Sequence, residues 1–408
     1  MTLDSSVALG IRESIIFFVN LTFKNLIFMQ VYLDHAATTP VNKRVLEVML
    51  PYFQTEFGNP SSIHQFGQKA LWAVDQARQT IAEALGCSAG EIYFTSGATE
   101  ANNLAIKGYA RAHQKEGKHL ITTALEHHCV LNSCEDLQQE GFEVDLIQPD
   151  SSGVINPHEI EKRIRPDTLL VSVMFANNEI GTLQPIAEIG QFCRQKKIFF
   201  HSDAVQAFGY EKCEVNQLQV DALTLSAHKF YGPKGVGCLY LRKETVLRPI
   251  LSGGGQENGL RSGTHNVPGI VGMGKAVELI EQEREKNTRA VREKRDLLWD
   301  LLRKIPDVRV NGDLEKRLPN NLNLIFTEVN GEALLVRLDL EGIAVSTGSA
   351  CSASSTKLSH VLLALGLDEK SCKSSLRVTL GKDNTEEEVR YAAEKIKLIV
   401  EELRSLRL

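Results

Sequence analysis

Ser226-Ala-His-Lys-Phe-Tyr-Gly-Pro-Lys-Gly-Val-Gly237 ends a run of β-formers, Asp221 to Ser226, and opens at once into a Gly/Pro-rich turn. A lysine so placed, Lys229, stands on a rigid strand end with its amine toward a cleft. Desolvation there lowers an amine's pKa, and a neutral amine can attack a carbonyl to form a Schiff base. A surface lysine beside a turn shows the same local pattern, so the neighbours decide. Asp203 closes the preceding apolar strand, Lys197-Ile-Phe-Phe-His-Ser-Asp203, where a buried carboxylate needs a cationic partner. A carboxylate for a pyridinium nitrogen and a lysine for an aldehyde are the two protein groups that pyridoxal 5'-phosphate (PLP) requires.

The pattern around these two residues is repetitive. Short β-branched runs at 91–95, 119–123, 143–147, 168–175, 197–202, 221–226 and 236–241 alternate with helical or loop segments such as 99–116, 127–140 and 187–195. Leu169 to Phe175 is apolar at almost every position, as a strand covered on both faces must be. Such alternation predicts an α/β fold with a mostly parallel central sheet between helices, and a ligand site at the carboxyl ends of its strands. Earlier in the chain, a helix is expected around 42–55 and another over 68–85. After Gly263 the texture changes to a long, highly charged helix over 267–304, strands at 321–327, 343–347 and 375–380, and a last helix with a Thr385…Glu388 capping box. This second part reads as a smaller α+β domain. Its mixed charge runs read as a solvated face.

Composition sets limits. The chain has 408 residues, 43% hydrophobic and 24% charged, with a formal net charge of −5, which describes a globular protein with no electrostatic case for nucleic acid or an anionic membrane as partner. Its eight cysteines lack CxxC pairs and read as reduced thiols in a cytoplasmic protein. Residues 1–28 include an apolar run, 15–28, interrupted by Asn20, Lys24 and Asn25. That run is neither a clean membrane span nor a signal peptide. We expect an extension outside the fold, with a peripheral membrane helix as the alternative.

Several other stretches carry chemistry. Phe94-Thr-Ser-Gly-Ala-Thr-Glu100 joins a strand to a helix start, where Ala98 and Thr99 can hold an anion by N–H and hydroxyl, although a simple cap has the same sequence. Glu126-His-His-Cys129 offers an imidazole, His127, to face a planar ligand, and locally a core or solvated histidine fits equally well. Asn178 lies just beyond the most buried strand, and Gln206 lies three residues after Asp203. The segment Gly253 to Thr264 is glycine-rich but is no Walker loop; it reads as a ligand loop or an inter-domain turn. Cys351 sits among Ser, Thr, Gly and Ala over 345–355, the one thiol of the eight whose surroundings are those of a nucleophile rather than of a core residue, although an incidental exposed cysteine shows the same surroundings.

In order along the chain, YLDHAATTP (32–40), GNPSSIH (58–64), FTSGATEANN (94–103), EH (126–127), NNEIG (177–181), DAVQ (203–206), SAHKFYGPKG (226–235), RSGT (261–264), GSAC (348–351) and SSLR (374–377) resemble the class V aminotransferase-like PLP enzymes, and within them the NifS/IscS cysteine desulfurases. The resemblance runs from about Tyr32 to the end. It departs at Leu125, often threonine in the family, and at Gln256, often histidine.

The resemblance implies a fold type I PLP-dependent transferase. Its large PLP-binding domain would span 42–265, and its small domain would combine 29–41 with 266–408. Lys229 would bind the PLP aldehyde and Asp203 the ring nitrogen, with His127 stacked on the ring and moving protons. Asn178 and Gln206 would contact the ring and its O3′ edge. Ala98, Thr99, Ser226 and His228 would hold the phosphate, with Thr264 arriving from the second subunit of a homodimer. Arg377 would clamp the substrate carboxylate. Asn178 would also face the substrate. Cys351 would take sulfur from L-cysteine as a persulfide, releasing L-alanine, and pass it to an acceptor such as an iron–sulfur scaffold protein. No metal is expected at the site, Cys351 being the residue near any iron–sulfur cluster in transfer. The alternative is a selenocysteine lyase or an aminotransferase of the same fold, which as an aminotransferase would not need Cys351.

Overall fold

A computed structural model describes residues 29–347 and 358–406. The strands are β1 (Val31–Tyr32), β2 (Ile92–Thr95), β3 (His119–Thr123), β4 (Glu143–Ile147), β5 (Thr168–Ser172), β6 (Phe199–Asp203), β7 (Ala222–Ser226), β8 (Gly237–Leu241), β9 (Val308–Asn311), β10 (Asn321–Phe326), β11 (Ile343–Ala344) and β12 (Ser375–Thr379). The helices are α1 (Lys43–Met49), α2 (Pro51–Gln54), α3 (Gln65–Leu85), α4 (Ala98–His113), α5 (His128–Gln139), α6 (Pro157–Arg163), α7 (Ile186–Lys196), α8 (Val215–Leu218), α9 (Val267–Leu302), α10 (Gly331–Leu340), α11 (His360–Ala364), α12 (Glu369–Lys373) and α13 (Glu386–Ser405).

Seven strands form one sheet in the order β2-β8-β7-β6-β5-β3-β4. The pairs from β7 to β4 are parallel, whereas β8 runs antiparallel to both its neighbours. The chain turns straight back from β7 into β8 through the Gly/Pro segment, which is too short for a crossover to a parallel strand. Two reversals restore the direction of β2. The carboxyl ends of β2, β7, β6, β5 and β3 therefore share one edge.

Alternate residues of each strand serve opposite faces. Phe200, Val171, Leu223 and Leu225 join α3 and α9 in one core, through Val74, Ala77, Ile81, Ile270 and Met273. Phe199, Leu170, Ala222 and Leu239 face α4 and α5 in another, through Leu104, Ala105, Val130 and Leu137. Burial on both faces is why these strands read as continuous apolar runs.

A three-stranded antiparallel sheet, β12-β10-β9, and the parallel pair β1-β11 lie over a third core shared with the latter part of α9 and with α10 and α13. The helix α9 spans both parts: Ile270 to Ile280 serve the first core and Val291 to Leu302 the third. The capping box at Thr385 and Glu388 opens α13. Two expected elements differ. The helix expected over 42–55 breaks at Leu50, where Pro51 opens a new turn. The strand expected over 343–347 is only Ile343–Ala344, with Ser346 forming an isolated bridge to Arg377.

Candidate active site

Asp203 is the last residue of β6 and is buried. Its Oδ2 accepts from Asn102 Nδ2 at 2.7 Å and its Oδ1 from the Val205 N–H at 3.0 Å. Among the described residues no cation pairs with it. A buried carboxylate held by neutral donors and lacking a cation is what a protonated ring nitrogen requires. Lys229 ends the single 3-10 turn that follows β7, and its Nζ donates to the carbonyls of Ala36 and Ala37, each at 2.7 Å. Residues 36–39, which follow β1, reach the site and are pinned there. The Thr39 N–H and hydroxyl donate to His228 O at 2.9 and 3.0 Å, and Tyr231 N–H donates to Thr39 Oγ1 at 2.7 Å.

His127 lies past the end of β3 and caps α5, its Nδ1 accepting from the Cys129 N–H at 3.2 Å. Burial holds its pKa below the ordinary histidine value, with Lys229 and His128 adding to this and Asp203 opposing it. His127, Asp203 and Lys229 thus come from the ends of three strands, β3, β6 and β7, of one sheet.

Ala98 and Thr99 open α4, whose first N–H groups have no intrahelical acceptor. The turn before them needs glycine twice. Gly97 has φ 152, and a Cβ on Gly237 would stand 2.9 Å from Gly97 Cα and 2.6 Å from Leu225 O. Ser226 ends β7 beside this turn, its Oγ 3.9 Å from where a Gly97 side chain would begin. Bare helix N–H groups, small residues and a nearby hydroxyl form an anion cradle. Together with Asp203 and Lys229, this donor set fits PLP. His228 is turned partly elsewhere, its Nδ1 3.1 Å from Thr38 Oγ1, and burial lowers its pKa to about 4.

Gln206 donates from Nε2 to Ala36 O at 3.0 Å. Arg377, on β12, donates from Nη2 to Asp34 at 2.8 Å and from Nη1 to Asn178 O at 3.1 Å, while its Nε has no partner. Arg377 and Asn178 therefore meet where β12 approaches the loop after β5. The loop carrying Thr264 is tied to its own chain: Arg261 pairs with Glu100 at 2.8 Å, Gln256 accepts from the Gly263 N–H at 2.9 Å, and Glu257 anchors to Arg78. Cys351 and residues 1–28 lie outside the described residues.

Sequence reasoning passed over the groups that support the site. Asn102 and Cys129 touch Asp203 and His127, yet each stands inside a helix where nothing local marks a role. Glu126 is fully buried, accepting from Met174 N–H and Thr123 hydroxyl at 2.8 Å each, and burial raises its pKa to about 8. Glu179 is nearly as enclosed, bonded to Ser359 at 2.6 Å, and burial raises its pKa to about 7.

The family model of class-V aminotransferases matches residues 31–391. A protein named cysteine desulfurase IscS from Dictyoglomus turgidum is 49% identical over 378 residues, 92% of this chain and 96% of that one. Its namesake from Methanosarcina thermophila is 50% identical over 376 residues, 92% and 93% of the two chains. A solved structure described as a NifS-like protein superposes with a TM-score of 0.87 at 41% identity, covering 91% of this chain and all of its own.

Proposed function

The chain belongs to the class-V aminotransferase family and is a PLP-dependent cysteine desulfurase, and from that premise we propose how its residues divide the work. The observation that carries the reading is the convergence of Asp203, Lys229 and His127 at one sheet edge, beside an anion cradle. PLP supplies an aldehyde and an electron-withdrawing ring that weakens the bonds around a substrate's α-carbon. Lys229 would hold the aldehyde, Asp203 would keep the ring nitrogen protonated, and Ala98, Thr99, Ser226 and His228, with Thr264 of a second subunit, would hold the phosphate. Asn178 and Gln206 would border the ring.

L-cysteine is the substrate, its carboxylate held by Arg377, whose unpartnered Nε supports that role. Lys229 Nζ or the His127 imidazole takes the α-proton. The Cys351 thiolate attacks the substrate sulfur: an S–S bond forms as the C–S bond breaks, the carbon keeps the electron pair, and its protonation gives L-alanine. The persulfide on Cys351 then passes to an acceptor such as an iron–sulfur scaffold protein. Selenocysteine lyase or aminotransferase activity is the less favoured reading.

The assignment of 42–265 to the large domain and of 29–41 with 266–408 to the small one belongs to the same proposal. So does a homodimer. Leu50, Phe53, Phe57, Ile63, Phe66 and Trp72, on or between α1 and α3, are all more than half exposed, the Phe57 and Phe66 rings 5.7 Å apart, and an apolar surface of that kind supports a subunit contact. A cytoplasmic setting is supported by the seven described cysteines, all unpaired. No helix among the described residues is long and apolar enough to cross a membrane.

The test is to incubate the protein with L-cysteine and map the persulfide by mass spectrometry. Cys351→Ser should keep the yellow cofactor band while losing persulfide and alanine production. Alanine release at the wild-type rate from that variant refutes the role of the thiol.

A further inference from the structure

Between Asp203 and His127 lies a chain of two side chains that the reaction scheme above leaves unused. Asn102, fully buried on α4, donates from Nδ2 to Asp203 Oδ2 at 2.7 Å and to Cys129 Sγ at 3.2 Å. Cys129 Sγ is in turn 3.0 Å from His127 Nδ1, the nitrogen that also faces the Cys129 N–H at 3.2 Å.

The polarity of this chain follows from which groups can only donate. The Asn102 amide must present its NH2 to Asp203, because its carbonyl oxygen there would oppose a carboxylate. That NH2 has two hydrogens, and Asp203 and Cys129 take one each. Asn102 Oδ1 is left buried without a partner, so the amide holds this orientation for its donors alone. The sulfur therefore accepts from Asn102. Burial raises the Cys129 pKa to about 12, so the thiol keeps its hydrogen, and His127 Nδ1 lies 3.0 Å away to accept it. The same nitrogen already accepts a backbone N–H, which cannot reverse its role. Both contacts require a bare lone pair on Nδ1.

We propose that Cys129, oriented by Asn102, is a positioning residue that fixes the tautomer of His127, keeping Nδ1 without hydrogen and the proton of the neutral ring on Nε2. The inference rests on the reading of His127 as the group that moves protons, since a catalyst of that kind needs one defined nitrogen to give and take at. It also ties the ring to Asp203, so that the group under the cofactor nitrogen and the group over its face are oriented through one amide. The other titratable groups facing His127 are Asp203, which favours its protonation, Lys229 and His128, which oppose it, and His360, whose interaction with His127 disfavours charge on both rings. A donor to Nδ1 adds to the opposing side, because it stabilises the unprotonated ring.

The experiment is 15N NMR of the full-length protein labelled on histidine, in the PLP-loaded and cofactor-free forms, with His127 assigned by loss of its signals in His127→Gln. His127 Nδ1 should show the shift of an unprotonated nitrogen in wild type and in Cys129→Ser, which keeps a donor in place. Cys129→Ala, which removes the thiol but keeps the backbone N–H on Nδ1, should raise the imidazole pKa by roughly 0.5–1 pH unit, the worth of one hydrogen bond, and loosen the hold on the Nε2–H tautomer. The acid limb of the kcat/KM profile should move with it, and Cys129→Ser should restore it. A protonated Nδ1 in neutral wild-type protein overturns the proposal, even if Cys129→Ala does not fold. So does a Cys129→Ala variant with the imidazole pKa unchanged. Because the imidazole is read without turnover, failure of the desulfurase scheme would show separately, as loss of persulfide formation.

Discussion

Glu257→Gln should unfasten the glycine-rich loop at a cost legible from its contacts. Glu257 Oε1 accepts from Arg78 Nη2 at 2.7 Å and lies 2.6 Å from His265 Nε2, while Oε2 accepts from Arg78 Nη1 and from the Phe94 N–H, each at 2.8 Å. Both oxygens face donors, so an amide NH2 on either side meets a donor head-on and leaves Arg78 half-paired. These bonds hold the carboxyl at about 2 against an ordinary 4.5 despite burial, which by itself acts in the opposite direction. At about 1.36 kcal/mol per pH unit the difference is worth roughly 3 kcal/mol, in line with breaking one side of a buried ion pair.

Because the folded pKa is depressed, this stabilisation is complete above pH 4.5 and is lost as the pH falls toward 2. Urea denaturation of the cofactor-free protein should therefore show Glu257→Gln weaker by about 3 kcal/mol from pH 6 to 8, with the gap narrowing below pH 4.5. Replacing Arg78 and Glu257 together by methionine should recover part of the loss. A loss under about 1 kcal/mol, the range of an exposed ion pair, or a gap that widens on acidification, would refute the reasoning.

Glu126→Gln should act in the reverse sense. The folded pKa of Glu126 is raised to about 8, so wild-type stability is full below 4.5 and declines as the pH climbs to 8. The amide variant should match wild type at pH 4.5 and exceed it by roughly 3–5 kcal/mol at pH 8.5; parallel stability curves would show that Glu126 does not bind its proton in the native state. Gly237→Ala drives a Cβ to 2.6 Å from Leu225 O and 2.9 Å from Gly97, against backbone that cannot step aside. About 1–3 kcal/mol of overpacking at the phosphate turn should weaken PLP binding about tenfold or more in a spectroscopic titration, and an unchanged Kd would mean the turn is no part of the cradle.

Most of the α/β layout was open to reading from local pattern. Runs such as Leu169 to Phe175 are apolar because both faces are covered, and Gly/Pro turns mark where strands end. Lys229 and Asp203 were found by the same logic, as polar groups closing apolar strands. The antiparallel direction of β8 was not marked in this way, since a strand's alternation is the same in either direction.

By itself, then, the amino-acid order determined the elements, the strand ends and the two residues proposed to grip a PLP ring, because helix period, strand period and turn chemistry act over a few residues. Only the tertiary structure decided what those residues touch. Asn102 reaches Asp203 across 101 positions, Lys229 reaches Ala36 across 193, and Arg377 reaches Asp34 across 343. Contacts at such separations exist only once the sheet has formed and the pairing of β1 with β11 has brought residues 34–39 back over its edge. The proton on Glu126 and the tautomer assigned to His127 belong to the same class, since both arise from burial and from partners that no local stretch of sequence contains.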